Sequence, residues 1–113
     1  VLELPFPAKI LWPNGRGHHM AKHREFQKHK RWASAAALAC RSMLPARPTR
    51  LVFTIYPKTA NRIDADNAVA AMKAYQDGIC AALKVDDGTL CAPRIIFGEP
   101  VKGGMVVVVV EGA

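Results

Sequence analysis

Five carboxylates crowd into one short part of this chain, at Asp64, Asp66, Asp77, Asp86 and Asp87, out of nine acidic residues in all. The stretch 61–87 opens with two aspartates two positions apart and closes on two adjacent ones. Unpaired carboxylates repel one another, so such a knot calls for a cation. Mg²⁺ takes oxygen ligands and keeps several waters, so a few carboxylates suffice. Asp64 and Asp66, with a third carboxylate from the distant pair Asp86 and Asp87, make a reasonable set. Beside a phosphodiester, an ion held there would polarise a phosphoryl oxygen and deliver hydroxide. Lys73 would stabilise the charge that builds on the phosphoryl group. Spacing alone leaves a second reading open, in which Asp64 and Asp66 cap a helix and the later pair is a solvated turn. Asp77 reads as structural, the i,i+4 partner of Lys73.

These side chains need elements to place them. The spacing predicts a helix over 67–83, with Val69, Met72, Gln76, Ile79, Cys80 and Leu83 on one side. On a second side of it lie Asp66, Ala70, Lys73 and Asp77. Asp64 and Asp66 point the same way only if the segment entering the helix is extended. Asp66 would then stand at the helix start, where a carboxylate is favoured. Gly78 would allow close packing or mark a kink. An earlier helix is expected over 18–44, starting near Lys22 and stopped by Pro45. Its apolar face is Phe26, His29, Ala33, Ala36, Ala37, Cys40 and Leu44. Strands are expected at 1–4, 51–56, 94–99 and 105–111. The last two, separated by Pro100 and Gly103-Gly104, read as an antiparallel hairpin. The five valines at 106–110 read as a buried strand rather than an edge, since an exposed one would invite aggregation. Together these elements make an α+β fold: one domain over 1–113, with a small mixed sheet of about four strands packed on two main helices.

The charge is unevenly spread. Residues 1–50 hold ten Lys and Arg against Glu3 and Glu25, a net +8, whereas residues 51–113 balance to −1 within a total of +7. A basic half of this kind predicts a polyanionic partner. Arg16, Lys22, Arg24, Lys28 and Arg31 are candidate DNA contacts, joined by Arg62 and Lys102 nearer the acidic stretch. The glycines of 13–17 would let backbone N–H groups approach a phosphate, and the segment reads equally as a connecting loop. His19 and His23 are four apart on a helix but have no third ligand nearby. The basic residues do not alternate with bulky apolar ones, so a membrane surface is not the expected partner. The longest purely apolar run, 106–110, is too short to span a bilayer. The first residues lack the apolar core of a secretory signal. Cys40, Cys80 and Cys91 are odd in number and lack a C-x-x-C pair, which predicts a reducing, cytoplasmic setting.

Taken as a set, the motifs resemble a known family. D-A-D-N at 64–67, K-A-Y-Q-D-G at 73–78, V-D-D at 85–87 and V-K-G-G-M at 101–105 resemble the RusA-type Holliday junction endodeoxyribonucleases. The opening L-P-F-P and the later P-N-G-R are also similar to that family's pattern. The match covers most of the chain in the same order. The resemblance implies an α+β domain working as a homodimer in a bacterial or phage-infected cell. It also implies Mg²⁺- or Mn²⁺-dependent nicking of four-way DNA junctions. Three essential aspartates would fall on Asp64, Asp66 and Asp87, with Asp86 the alternative to the last. One position departs: where the family's best-known pattern has a lysine three residues after the Asn, this chain has Ala70. Lys73 lies one turn further along the same face.

Two other classes compete with the nuclease. One is a non-catalytic basic nucleic-acid-binding module, with the aspartates as caps. The other is an assembly factor that uses the basic helix against an acidic protein.

Overall fold

The computed structural model describes residues 1–13, 19–60 and 63–112. Strand β1 (Leu2–Leu4) is followed by a single 3₁₀ turn, Lys9–Leu11, and helix α1 (His19–Ala39). A second 3₁₀ turn, Arg41–Met43, leads to β2 (Pro48–Tyr56). Helices α2 (Ala65–Ala71) and α3 (Lys73–Leu83) come next, then a 3₁₀ turn at Asp87–Thr89, β3 (Arg94–Phe97) and β4 (Met105–Gly112). The four strands form one mixed sheet in the order β1-β4-β2-β3. The α+β architecture expected from the sequence is the one observed.

The valine strand lies inside the sheet, antiparallel to β1 on one side and to β2 on the other. Val106, Val108 and Val110 are buried. They join Leu2, Leu4, Leu51, Phe53 and Ile55 on the face covered by Ala33, Ala37, Met72, Tyr75 and Ile79 of the helices. On the opposite face Val109 and Ile96 are exposed. The expected β3–β4 hairpin does not form. Instead β3 pairs parallel with β2, and β4 pairs with the other edge of β2. β3 offers four residues, whereas β2 offers nine to pair with the eight of β4. The longer partner satisfies more backbone groups of a strand that cannot be left open. The connection passes the end of β2, where the Val101 N–H donates to the Pro57 carbonyl at 2.9 Å. The helices thus become the crossover of a β-α-β unit, as parallel pairing requires.

Two helix boundaries also differ from expectation. The run 67–83 is divided at Met72, whose ψ of −4° departs from regular helix and whose N–H meets the carbonyls of Ala68 and Val69. The buried face is Ala68, Ala71, Met72, Tyr75, Ile79 and Ala82, so Val69 turns outward and Tyr75 inward. Alanine permits this rotation, because a face of small residues can lie close to the sheet while a neighbouring large one fills the gap. Helix α1 ends at Ala39 rather than Leu44, and the chain tightens into the 3₁₀ turn before Pro45.

Helices α1 and α3 meet at small residues. A Cβ on Gly78 would collide with the Lys30 carbonyl oxygen and lie 3.1 Å from the Ala33 Cβ. Gly78 therefore serves close packing, and the irregularity lies at Met72 instead. Beside this contact His29 is 2% exposed. The Ala8 N–H can only donate, so His29 Nε2 accepts it at 3.1 Å, and Nδ1–H donates to the Glu25 carbonyl at 2.7 Å. The imidazole is held neutral, and burial lowers its pKa. The Tyr75 hydroxyl donates to the Pro5 carbonyl at 2.6 Å, and burial raises its pKa. These two side chains fasten segment 5–8 to the helix pair.

Two outcomes follow from this packing. Gly78→Ala is expected to lower the unfolding free energy by about 1–3 kcal/mol through overpacking, outweighing the roughly 1 kcal/mol that alanine gains in helix propensity. Urea unfolding measures the balance. For His29 the unfolded chain binds the proton more readily than the native protein. Stability is therefore full above the ordinary histidine value near 6.5 and falls as pH drops through it toward the lowered native value. His29→Leu should lose that segment of the pH profile, and it should cost about 1–3 kcal/mol at pH 8 by orphaning its backbone partners.

Candidate functional site

The acidic stretch is placed by α2, α3 and the turn after them. Asp64 is the N-cap residue of α2, with extended backbone and no side-chain capping bond, and Asp66 lies in the first turn. Both are exposed. The helix begins at Ala65, two residues before the expected start, so Asp66 lies inside it and the extended segment that would turn Asp64 and Asp66 the same way ends at Asp64. At the far end, Lys84 takes a left-handed conformation with φ of 57°, and the Val85 N–H donates back to the Cys80 carbonyl at 2.9 Å. This cap reverses the chain. Asp86 then closes the following turn, with its Oδ1 accepting the Gly88 N–H at 2.9 Å.

The reversal carries Asp87 back onto α3. Lys73 Nζ lies 2.7 Å from Asp87 Oδ2 and 3.0 Å from Asp77 Oδ1. The i,i+4 pair with Asp77 is the one the sequence spacing predicts. The bond to Asp87 crosses 14 residues and has no signature in spacing, because it depends on the left-handed residue at Lys84. The ammonium holds the Asp87 carboxyl below the usual carboxylate range, and the two carboxylates raise the Lys73 pKa. Lys73 is thus firmly charged and stands between carboxylates. Burial, with the nearby carboxylate of Asp87, pushes the Cys80 thiol up to about 11, which makes it a poor nucleophile at neutral pH.

Among the described residues, no group of three or more His, Cys, Asp or Glu side chains is placed to hold a metal ion. The donors present are hard oxygens, suited in kind to Mg²⁺ or Mn²⁺, but Asp87 is engaged by Lys73 rather than gathered with Asp64 and Asp66. Their chemistry fits such an ion; the arrangement contains no ready-made three-carboxylate cage.

The basic candidates divide. Lys22, Arg24 and Arg31 project from α1 into solvent, and Lys102 is exposed in the β3–β4 connection. Lys28 is half-buried, paired with Glu25 at 3.3 Å and lying over the Trp32 ring at 5.1 Å. Arg16 and Arg62, and the glycines of 14–17, lie outside the described residues. His19 and His23 form no metal group with other described side chains. No described helix is long and apolar enough to cross a membrane.

A cleft of about 480 Å³ opens where β2 and β3 end and α2 begins. Pro57, Ile63, Phe97, Gly98 and Pro100 line it, and Asp64 stands at its edge. Its walls come from two stretches far apart in sequence, 57–65 and 97–100, so no local pattern in the sequence points to it.

No family model matches the chain. A protein of Xylella fastidiosa (strain Temecula1 / ATCC 700964), described as an uncharacterized protein, is similar to it: 31% identical over 115 aligned positions, covering 98% of this chain and 75% of the relative. The chain belongs to that protein's family. The likeness runs through every element of the fold, so the acidic stretch and the basic helix both lie within it.

The Lys73–Asp87 pair is open to direct test. In Lys73→Met the Asp87 carboxylate should titrate at higher pH than in the wild type, followed by carboxyl carbon NMR. An unmoved titration would mean that the ammonium is not what holds the carboxyl down.

Proposed function

We propose that the chain is a metal-dependent, structure-selective DNA endonuclease of the RusA type, acting on four-way junctions or related branched DNA. The observation that carries this reading is the 2.7 Å bond from Lys73 to Asp87. It returns the remote paired aspartates to the helix that follows the D-x-D motif. The ordered motif set, the exposed basic residues of α1 and the exposed carboxylates of Asp64 and Asp66 support the same reading.

Asp64, Asp66 and Asp87 would hold Mg²⁺ or Mn²⁺, with Asp86 adjacent as the alternative ligand. When bound, the ion supplies phosphoryl polarisation and an activated water. Lys73 has two tasks. Without substrate it neutralises Asp77 and Asp87 and so permits several carboxylates to stay ionised close together. With DNA present, the scissile phosphate competes for its ammonium, and charge building on the phosphoryl oxygens strengthens that contact. Lys22, Arg24 and Arg31 hold the phosphodiester backbone and carry little sequence information. Binding therefore weakens steeply with salt.

A junction has two equivalent strands to cut, and each subunit brings one acidic site. A two-fold homodimer matches that symmetry. The uncovered sheet face, with Val109 and Ile96 exposed, offers an apolar surface for it. The expected setting is the cytoplasm of a bacterial or phage-infected cell.

A second reading is a non-catalytic nucleic-acid-binding module. The absence of a three-ligand grouping among the described residues favours it. Asp66→Asn separates the two. The nuclease reading expects nicking of a labelled four-way junction in Mg²⁺ to fall by at least about a hundredfold, junction affinity to be kept within a few fold, and EDTA to abolish wild-type cutting. Wild-type protein that binds junctions tightly yet never nicks them in Mg²⁺ or Mn²⁺ would establish the module instead.

A further inference from the structure

We infer that the cleft between the ends of β2 and β3 and the start of α2 is a nucleobase pocket, in which one unstacked base of the bound strand lies on the Phe97 ring. The inference deepens the proposed function and rests on the part of it that makes DNA the ligand.

The exposure of Phe97 is the first ground. It ends an edge strand, on the core side of the sheet by register, since it pairs with buried Ile55. Yet it is 42% exposed and lines the cleft instead of closing into the core. The second ground is shape. At about 480 Å³ the cleft lies within the roughly 300–1,000 Å³ typical of small-molecule sites. Pro57 and Pro100 give it stiff walls that lack backbone donors. Those walls are tied together before any ligand arrives, by Gly98 N–H to the Ile55 carbonyl at 2.9 Å and Val101 N–H to the Pro57 carbonyl at 2.9 Å. A preformed apolar slot with an aromatic wall suits a flat heterocycle, which loses little conformational entropy on entering it.

The third ground selects a nucleotide over an apolar peptide. Each of the two stretches forming the cleft carries an exposed lysine close to a wall residue in sequence: Lys58 directly follows Pro57, and Lys102 lies two residues after Pro100. Lys58 already lies over the Phe6 ring at 5.5 Å, which holds its charge near the surface. The cationic rim fits a phosphodiester and the apolar floor fits a base, the pairing found wherever single strands are held by stacking. Asp64 marks the side of the cleft toward the acidic residues. A base lodged here leaves its neighbouring phosphate beside them, and extracting a base is cheapest where a strand is already unpaired or distorted. The pocket thus supplies a reason for a branched substrate to be preferred over intact duplex.

The test uses the full chain in EDTA, so that neither cleavage nor metal contributes. Affinity is measured for single-stranded oligo(dT) and for an abasic oligonucleotide of equal length. Phe97→Ala should weaken oligo(dT) binding by about tenfold and leave abasic binding unchanged, whereas Phe97→Trp should match the wild type. On the wild type, 5-iodouracil within the oligonucleotide should photocrosslink to Phe97. Equal losses on both ligands, no loss on either, or crosslinks that avoid Phe97 would overturn the pocket. So would a Phe97→Ala effect confined to self-association in sedimentation, which would assign the cleft to a second copy of the chain. Base-dependent binding in a protein that never nicks DNA supports the pocket and removes only the nuclease reading. Nicking by a protein whose binding ignores Phe97 does the reverse.

Discussion

The missing side chain at Gly78 sets the geometry of the molecule. It lets the backbone of α3 approach the Lys30 carbonyl of α1, closer than any alanine would permit. With the two helices so close, Tyr75 reaches the Pro5 carbonyl and His29 reaches the Ala8 amide. The packing of α3 on α1 also settles which of its faces is free. Because Tyr75 and Ile79 point inward, Lys73 and Asp77 point outward, in position to receive the turn that brings Asp87 back. A backbone contact in the core thus decides where the polar chemistry can stand.

Electrostatics shapes the exposed side. The chain gathers all five of its aspartates in one region and places a lysine among them, while its basic excess is carried by the first fifty residues. Lys73 is worth more as an organiser of carboxylates than as a surface ion pair, since exposed pairs contribute little to folding. The neutral, buried imidazole of His29 works the opposite way, through hydrogen bonds rather than charge.

Much of the fold was legible because binary pattern and local stops agree. A β-branched run stopped by Pro57 marks β2, a valine run entered through Gly103-Gly104 marks β4, and the alanine-rich segment marks α1. Pairing was less legible. Residues 94–97 and 105–112 have the separation of a hairpin, and only competition for the nine-residue β2 decides that they lie on either side of it. Of the expected helix face, Met72, Ile79 and Cys80 are buried, whereas Val69, Gln76 and Leu83 give way to their neighbours Ala68, Tyr75 and Ala82, because alanines carry too little hydrophobic signal to fix a phase. Of the candidate site, the Lys73–Asp77 pair follows from helical spacing. The Lys73–Asp87 pair does not, because it depends on a lysine adopting a conformation that sequence pattern assigns to glycine. The cleft was illegible for the same reason of distance, as Pro57, Ile63 and Phe97 meet only once β2 and β3 run parallel.

β1 is only three residues long, yet it joins the opening of the chain to its close, with Leu2 beside Val108. During synthesis β1 emerges before β2 and β4 after both, so the sheet cannot be completed until β4 has followed them. Such distant pairing slows folding. The delay protects the protein, because the segment best suited to cross-β stacking is released only when β1 and β2 are both available to take it in. Order of manufacture, as much as sequence, keeps five consecutive valines from finding one another in neighbouring chains.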